Sequence, residues 1–95
     1  MALHFAWDER KASANLQKHG VSFEEAQSAL LDEFALEVFD EAHSDDEDRW
    51  FSIGMSANGR VLVTVYTERG LTTRIITSRK ATLHETENYN RYRFG

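Results

Sequence analysis

Within the stretch Thr67-Glu68-Arg69-Gly70 and Arg74-Ile75-Ile76-Thr77-Ser78-Arg79-Lys80 the chain gathers four cations and one carboxylate around a predicted hairpin. Guanidinium forks match phosphate oxygens two at a time. Such a group would bind a phosphodiester and stabilise a pentacoordinate phosphorane as its charge grows. The same side chains can instead be solvated at strand ends, or paired with Glu24, Glu25 or the acidic segment 40–48. His19 is placed at a helix end, where an imidazole titrating near neutrality can serve as general acid or base. A histidine there can also simply interact with the last helix carbonyls, which favour its charged form. Lys11, Asn15 and Lys18 fall on one face of that helix, a face that either approaches RNA or is only solvated.

Other chemistries drop out. There is no cysteine, so thiolate nucleophiles, thiolate zinc sites and disulfides are excluded. His4, His43 and His84 have no metal-ligand spacing, and DEAHSDDED lacks the glycine and ligand order of a calcium loop. No P-loop, nucleophile elbow, paired His-x-x-x-His or helix-turn-helix pattern is present. At 95 residues the chain is expected to form one domain, residues 1–95. Its apolar runs stop at three residues, as in Val61-Leu62-Val63, against the roughly 18 of a membrane span. The start MALHFAWDERK lacks the apolar core of a secretory signal, so a cytoplasmic location is expected. The net charge of −5 conceals a division. Residues 1–48 carry thirteen acids against three Lys or Arg, net −10, and residues 49–95 carry three acids against eight, net +5. A basic half of this kind suits a nucleic-acid surface or the protein's own acidic half.

The elements that must position these residues are legible from caps and periodicity. Asp8 caps a helix running to about His19, which Gly20 ends as a left-handed stop. Ser22-Phe23-Glu24-Glu25 reads as a capping box, with the Glu25 carboxylate reaching back, and a second helix follows to about Leu31. Its buried face is Phe23, Ala26, Ala29 and Leu30. Residues 36–39 form a short strand and 40–48 a solvated loop. Strands follow over 50–56, 60–67 and 71–78, rich in Val, Ile, Thr and aromatics. Short loops imply an antiparallel meander with helices on one face, an α+β fold. A three-residue loop Ala57-Asn58-Gly59 with left-handed Gly59 pairs Met55 with Val61 and buries the odd positions of both strands. A similar loop at Arg69-Gly70-Leu71 would pair Val65 with Ile75 and Tyr66 with Arg74, and so put Tyr66, Glu68 and Arg74 on one face. Phe5 and Trp7 read as core anchors. From Ala81 a terminal helix has a thin apolar stripe of Leu83, Tyr89, Tyr92 and Phe94, which docks loosely or is completed by another chain.

The string F-x-W-D-x-x-K-x-x-x-N-x-x-K-H-G-V-S-F-E-x-A, Phe5 through Ala26, resembles the BrnT family of bacterial toxins. The resemblance continues through Asp40, His43-Ser44, Arg49, Ile53-Gly54, Leu62-Val63, the T-x-R-G at Thr67, R-I-I-x-x-R-K-A at Arg74, and Glu85 and Tyr89. It implies a RelE-like α+β fold with two N-terminal helices, an antiparallel sheet of about four strands or one short strand more, and a C-terminal helix. It also implies a metal-independent ribonuclease that needs no cofactor and slows translation. The implied partner is a BrnA-like ribbon-helix-helix antitoxin, which forms a hetero-oligomer with the toxin and alone contacts operator DNA. RNA cleavage by attack of the ribose 2'-OH needs a base, a leaving-group acid and cations on the phosphorane. On that reading Arg74, Arg79 and Lys80 act at the phosphate, with Glu68 or His19 as base or acid. Arg69, Lys18, Lys11 and Tyr66 contact RNA. The competing reading is a non-catalytic module whose basic face docks the acidic part of an antitoxin-like chain. A DNA binder in its own right is disfavoured, because no helix with a basic recognition face is visible.

Overall fold

Asp8 and Gly20 bracket the first helix as their local chemistry requires. In the computed structural model, which describes residues 4–95, helix α1 spans Glu9–His19. The Asp8 carboxylate accepts from the amides of Arg10 and Lys11, and Gly20 closes the helix at φ 69°. Helix α2, Phe23–Leu30, starts at Ser22, whose hydroxyl accepts from the Glu25 amide. Around them lie strands β1 His4–Ala6, β2 Leu36–Phe39, β3 Arg49–Met55, β4 Val61–Arg69 and β5 Thr72–Lys80, then helix α3, Leu83–Phe94. The first three residues of the start read above as lacking a leader lie outside the described residues. No helix among the described residues is long and apolar enough to cross a membrane.

The five strands form one sheet in the order β1-β5-β4-β3-β2. Four are the expected antiparallel meander. The fifth, β1, runs parallel to β5 and pairs Phe5 with Thr73, so the sheet is mixed rather than wholly antiparallel. Phe5 and Trp7 are core anchors as read, packed against Phe23, Ala26 and Ile75. The backbone that carries Phe5 also adds an edge strand.

Helices cover both faces, which corrects the expectation that they are confined to one. Neighbouring strand residues point to opposite faces. Leu62 packs with Val21 and Ala29 beneath α1 and α2. Ile53 and Val63 instead hold Tyr89 of α3 on the other side. The reason lies in β3 and β4, whose centres are apolar or small at both parities. Gly54 shows how tightly α2 sits, since a Cβ there would come within 2.5 Å of the Ala29 carbonyl oxygen.

The β3–β4 hairpin has the expected register, Met55 opposite Val61, with Gly59 at φ 79°. The β4–β5 hairpin does not. Gly70, at φ 60°, opens a two-residue turn with Leu71, pairing Arg69 with Thr72, Thr67 with Arg74 and Tyr66 with Ile75. A bulge at Ile76 then brings Thr77 opposite Val65. Tyr66 and Glu68 therefore face α1 and α2, and Arg74 faces the α3 side.

Charge pairs decide two further departures. The Glu25 carboxylate does not reach back to complete its capping box. It accepts from Arg60 Nε at 2.9 Å and Ser56 Oγ at 2.7 Å, and pairs with the second Arg60 nitrogen. The Arg60 hydrogen bonds outweigh burial and hold its pKa down to about 2. A carboxyl lowered on folding contributes stability above its unfolded pKa of roughly 4.3 and loses it as pH falls through the folded value. Denaturant titrations from pH 7 down to pH 2 are expected to show wild type losing about 2–3 kcal/mol more than Glu25→Gln across that window. Parallel acid limbs would show that the pair stores no such energy. Helix α3, with its thin stripe, is fastened by polar contacts. Thr82 and Glu85 form a full capping box. The buried Tyr89 hydroxyl donates to Asp32, which also accepts from the amides of Met55 at 2.8 Å and Phe34 at 3.0 Å. Burial pushes the Asp32 pKa up, but these bonds and the charge of Arg93 outweigh it, and the carboxyl stays below its ordinary value. Leu83, Tyr92 and Phe94 remain exposed.

Candidate functional site

Strand pairing assembles what the sequence spreads over three strands. Arg49 on β3 stands opposite Thr67 on β4, and Thr67 stands opposite Arg74 on β5, so the three form one row across the sheet on the α3 side. Arg69 lies two residues beyond Thr67 on the same side. Helix α3 covers the other end of this face, around Ile53 and Val63. Among the described residues Arg49 and Arg74 make no side-chain ion pair. Arg69 pairs through Nε with Glu47 of the acidic loop and is 71% exposed. The loop is tied at its base, where the Asp40 amide donates to the Arg49 carbonyl at 2.8 Å and Ser44 Oγ accepts from the Arg49 amide at 2.9 Å. Between loop and strands lies a cavity of about 450 Å³ lined by His43, Asp45, Asp46, Glu47, Arg49, Thr67 and Arg69.

Arg79 shares this face but is engaged. Opposite Val63, it donates to both Glu85 oxygens, at 2.8 and 2.9 Å. The pairing with Arg79, opposed by burial, draws the Glu85 pKa down to about 2. Arg79 thus clamps the first turn of α3 to the sheet, beside a smaller cavity lined by Phe51, Val63, Val65 and Thr77.

The other candidates stand elsewhere. Lys80 pairs with Leu62 and projects on the side of α1 and α2. Tyr66 is buried beside Phe5, Leu30, Glu37 and Glu68. Burial, reinforced by Glu37, pushes its phenol well above the ordinary value, so it stays protonated through the neutral range. Lys11, Lys18 and His19 line a groove of about 310 Å³ against Ile76 and Thr77. Thr77 lines both this groove and the Arg79 cavity, so the groove adjoins the arginine face around the side of β5. Asn15, which shares the helix face with Lys11 and Lys18, is buried and bonded to the backbone of Ser78 and Val21. Of the residues that complete the row, Arg49 stands out in the sequence only within the family pattern, and Thr67 only as the end of a strand and the first residue of the cation-rich stretch. Their one local signal is Arg49 opening a strand where the charge reverses from acidic to basic.

The chain is an α+β domain with a row of arginines beside a helix-covered sheet face. Residues 7–85 match the family described as the ribonuclease toxin, BrnT, of type II toxin-antitoxin systems, and the chain belongs to that family. Its fold is similar to the crystal structure of the Brucella abortus ribonuclease toxin BrnT, with a TM-score of 0.68 and 24% identity over 85% of this chain and 99% of that one. No curated protein matches the chain.

Proposed function

We propose that the chain is a metal-independent endoribonuclease toxin of RelE-like organisation. It acts in the cytoplasm, cleaves RNA to inhibit translation, and is silenced in a complex with a BrnA-like ribbon-helix-helix antitoxin that alone contacts operator DNA. The observation that carries this reading is the row of Arg49, Thr67 and Arg74, with both guanidiniums unpaired among the described residues. Attack of the 2'-OH on the adjacent phosphate places growing charge on the equatorial oxygens, and preorganised guanidinium forks stabilise that charge. Arg69 extends the row, and Arg79 supports the same face through α3. Of the two candidate proton-transfer groups the layout favours His19, whose groove adjoins the arginine face at Thr77. Glu68 points to the opposite side. Lys18 and Lys11 then guide the RNA backbone along the flank of β5.

The test uses purified protein free of antitoxin, total RNA and excess EDTA. Expected products carry 5'-hydroxyl and 2',3'-cyclic phosphate ends, which only 2'-OH attack leaves. Cleavage abolished by EDTA would remove the metal-independent mechanism. No cleavage even with ribosomes present would leave the basic face as a docking surface for an acidic partner segment.

A further inference from the structure

Two buried side-chain oxygens among the described residues have no hydrogen-bond partner, Ser52 Oγ and Thr67 Oγ1. A buried hydroxyl without a partner has surrendered water for nothing, and its retention calls for an explanation. Ser52 lies on the side of α1 and α2, away from the arginines. Thr67, only 2% exposed, lines the cavity that holds Arg49, Arg69 and Glu47, and its cross-strand neighbours are Arg49 and Arg74.

Three of the chain's own carboxylates, Asp45, Asp46 and Glu47, line that cavity, and among the described residues only Glu47 is paired with one of its arginines. Glu47 pairs with Arg69, and this hydrogen bond, with smaller help from the Thr67 hydroxyl and the charge of Arg74, holds its carboxyl below the ordinary value. The Thr67 hydroxyl is thus close to the carboxylate but outside bonding geometry. Glu47 meets one guanidinium, Arg69, while Asp45 and Asp46 pair with none, so among the described residues Arg49, Arg74 and the Thr67 hydroxyl are left without an anionic partner. A phosphodiester flanked by its sugars presents oxygens over a wider arc and can meet all four. The Arg69–Glu47 pair is open to solvent and so weakly held.

We infer that Arg49, Arg69, Arg74 and the Thr67 hydroxyl form a seat for one phosphodiester of single-stranded RNA, and that Glu47 is an internal stand-in which the incoming phosphate displaces. This rests on the ribonuclease reading for the ligand, and it adds a binding residue, Thr67, and a competing group, Glu47.

The probe is a labelled 2'-O-methyl RNA oligonucleotide, which cannot be cut by 2'-OH attack, followed by fluorescence anisotropy. Thr67→Val is expected to weaken binding about tenfold, the factor of a lost bond to a charged acceptor, while raising Tm by a few degrees because a buried unpaired hydroxyl is gone. Thr67→Ser keeps the hydroxyl and keeps the affinity. Glu47→Gln is expected to tighten binding about two- to fivefold, the factor carried by an exposed ion pair. Glu24→Gln, the same change of net charge on α2, moves affinity less. Four outcomes overturn the inference: Thr67→Val binding like wild type, Thr67→Val losing Tm, Glu47→Gln indistinguishable from Glu24→Gln, or Thr67→Val weakening inorganic phosphate but not the oligonucleotide. Cleavage by wild type with an indifferent Thr67→Val sinks this seat alone. The expected binding changes without any cleavage sink the ribonuclease reading and keep the seat.

Discussion

Arg74→Ala is expected to slow RNA cleavage by about 10²–10³-fold, the range seen when one preorganised donor to a developing oxyanion is removed, while the protein stays folded. The asymmetry follows from what Arg74 touches. It forms no ion pair among the described residues, and its strand position is set by backbone pairing with Thr67 and Ala6. Truncating it breaks no internal side-chain bond, so stability should move by no more than about 0.5 kcal/mol. Arg74→Lys keeps the charge and loses the fork, and should recover only part of the rate. Arg79→Ala provides the contrast. It frees Glu85 from a two-point pairing and loosens the first turn of α3, so Tm and activity should fall together. Single-turnover cleavage beside thermal denaturation of the three variants separates the two kinds of arginine. Wild-type cleavage by folded Arg74→Ala would remove Arg74 from the phosphate.

What could be foreseen about this molecule follows the distance over which each feature is decided. Asp8, Gly20, Ser22 and Gly59 act on their own neighbours, and the helix ends and first hairpin register stand where their chemistry places them. Gly70 is equally local, but a left-handed residue fits either the first position of a two-residue turn or a longer loop. That choice reverses which face Arg74 shares with Tyr66. Strand β1 is three residues long and finds its partner 68 residues further on, His4 against Thr72, so no periodicity announces it. The second helical face was hidden because β3 and β4 alternate apolar with apolar or small residues instead of apolar with charged ones. The site divides likewise. Arg69, Arg74 and Arg79 stand out by density within one hairpin. Arg49 and Thr67 acquire meaning only when three strands align, and the pairing of Arg79 with Glu85 requires knowing where α3 returns.

Asn15 carries the largest stability effect expected from any single polar side chain here. Strand β1 covers β5 only as far as Arg74, which leaves the next stretch of that edge without a strand. Asn15 takes the missing strand's place across 63 residues of sequence. Its Oδ1 accepts from the Ser78 amide at 3.1 Å, and its Nδ2 donates to the Ser78 carbonyl at 2.8 Å and the Val21 carbonyl at 2.9 Å. Asn15→Ala strips all three buried backbone groups at once, and a loss of about 3 kcal/mol or more is expected in urea denaturation. Asn15→Asp keeps the shape and the acceptor but aims an anion at two carbonyls, so at pH 7 it should be at least as damaging. That carboxyl would have a pKa raised on folding, since its protonated form can donate to one of the carbonyls. A raised acid binds more protons folded than unfolded, so the penalty is full above the folded pKa and eases as pH falls toward 4. Asn15→Asp should therefore regain stability relative to Asn15→Ala on acidification. A wild-type midpoint for Asn15→Ala would show that water replaces the side chain at no cost. Because Asn15 also lines the His19 groove and holds the residue before Arg79, both variants should lose cleavage even below their melting temperatures, by misplacing one groove wall relative to the other.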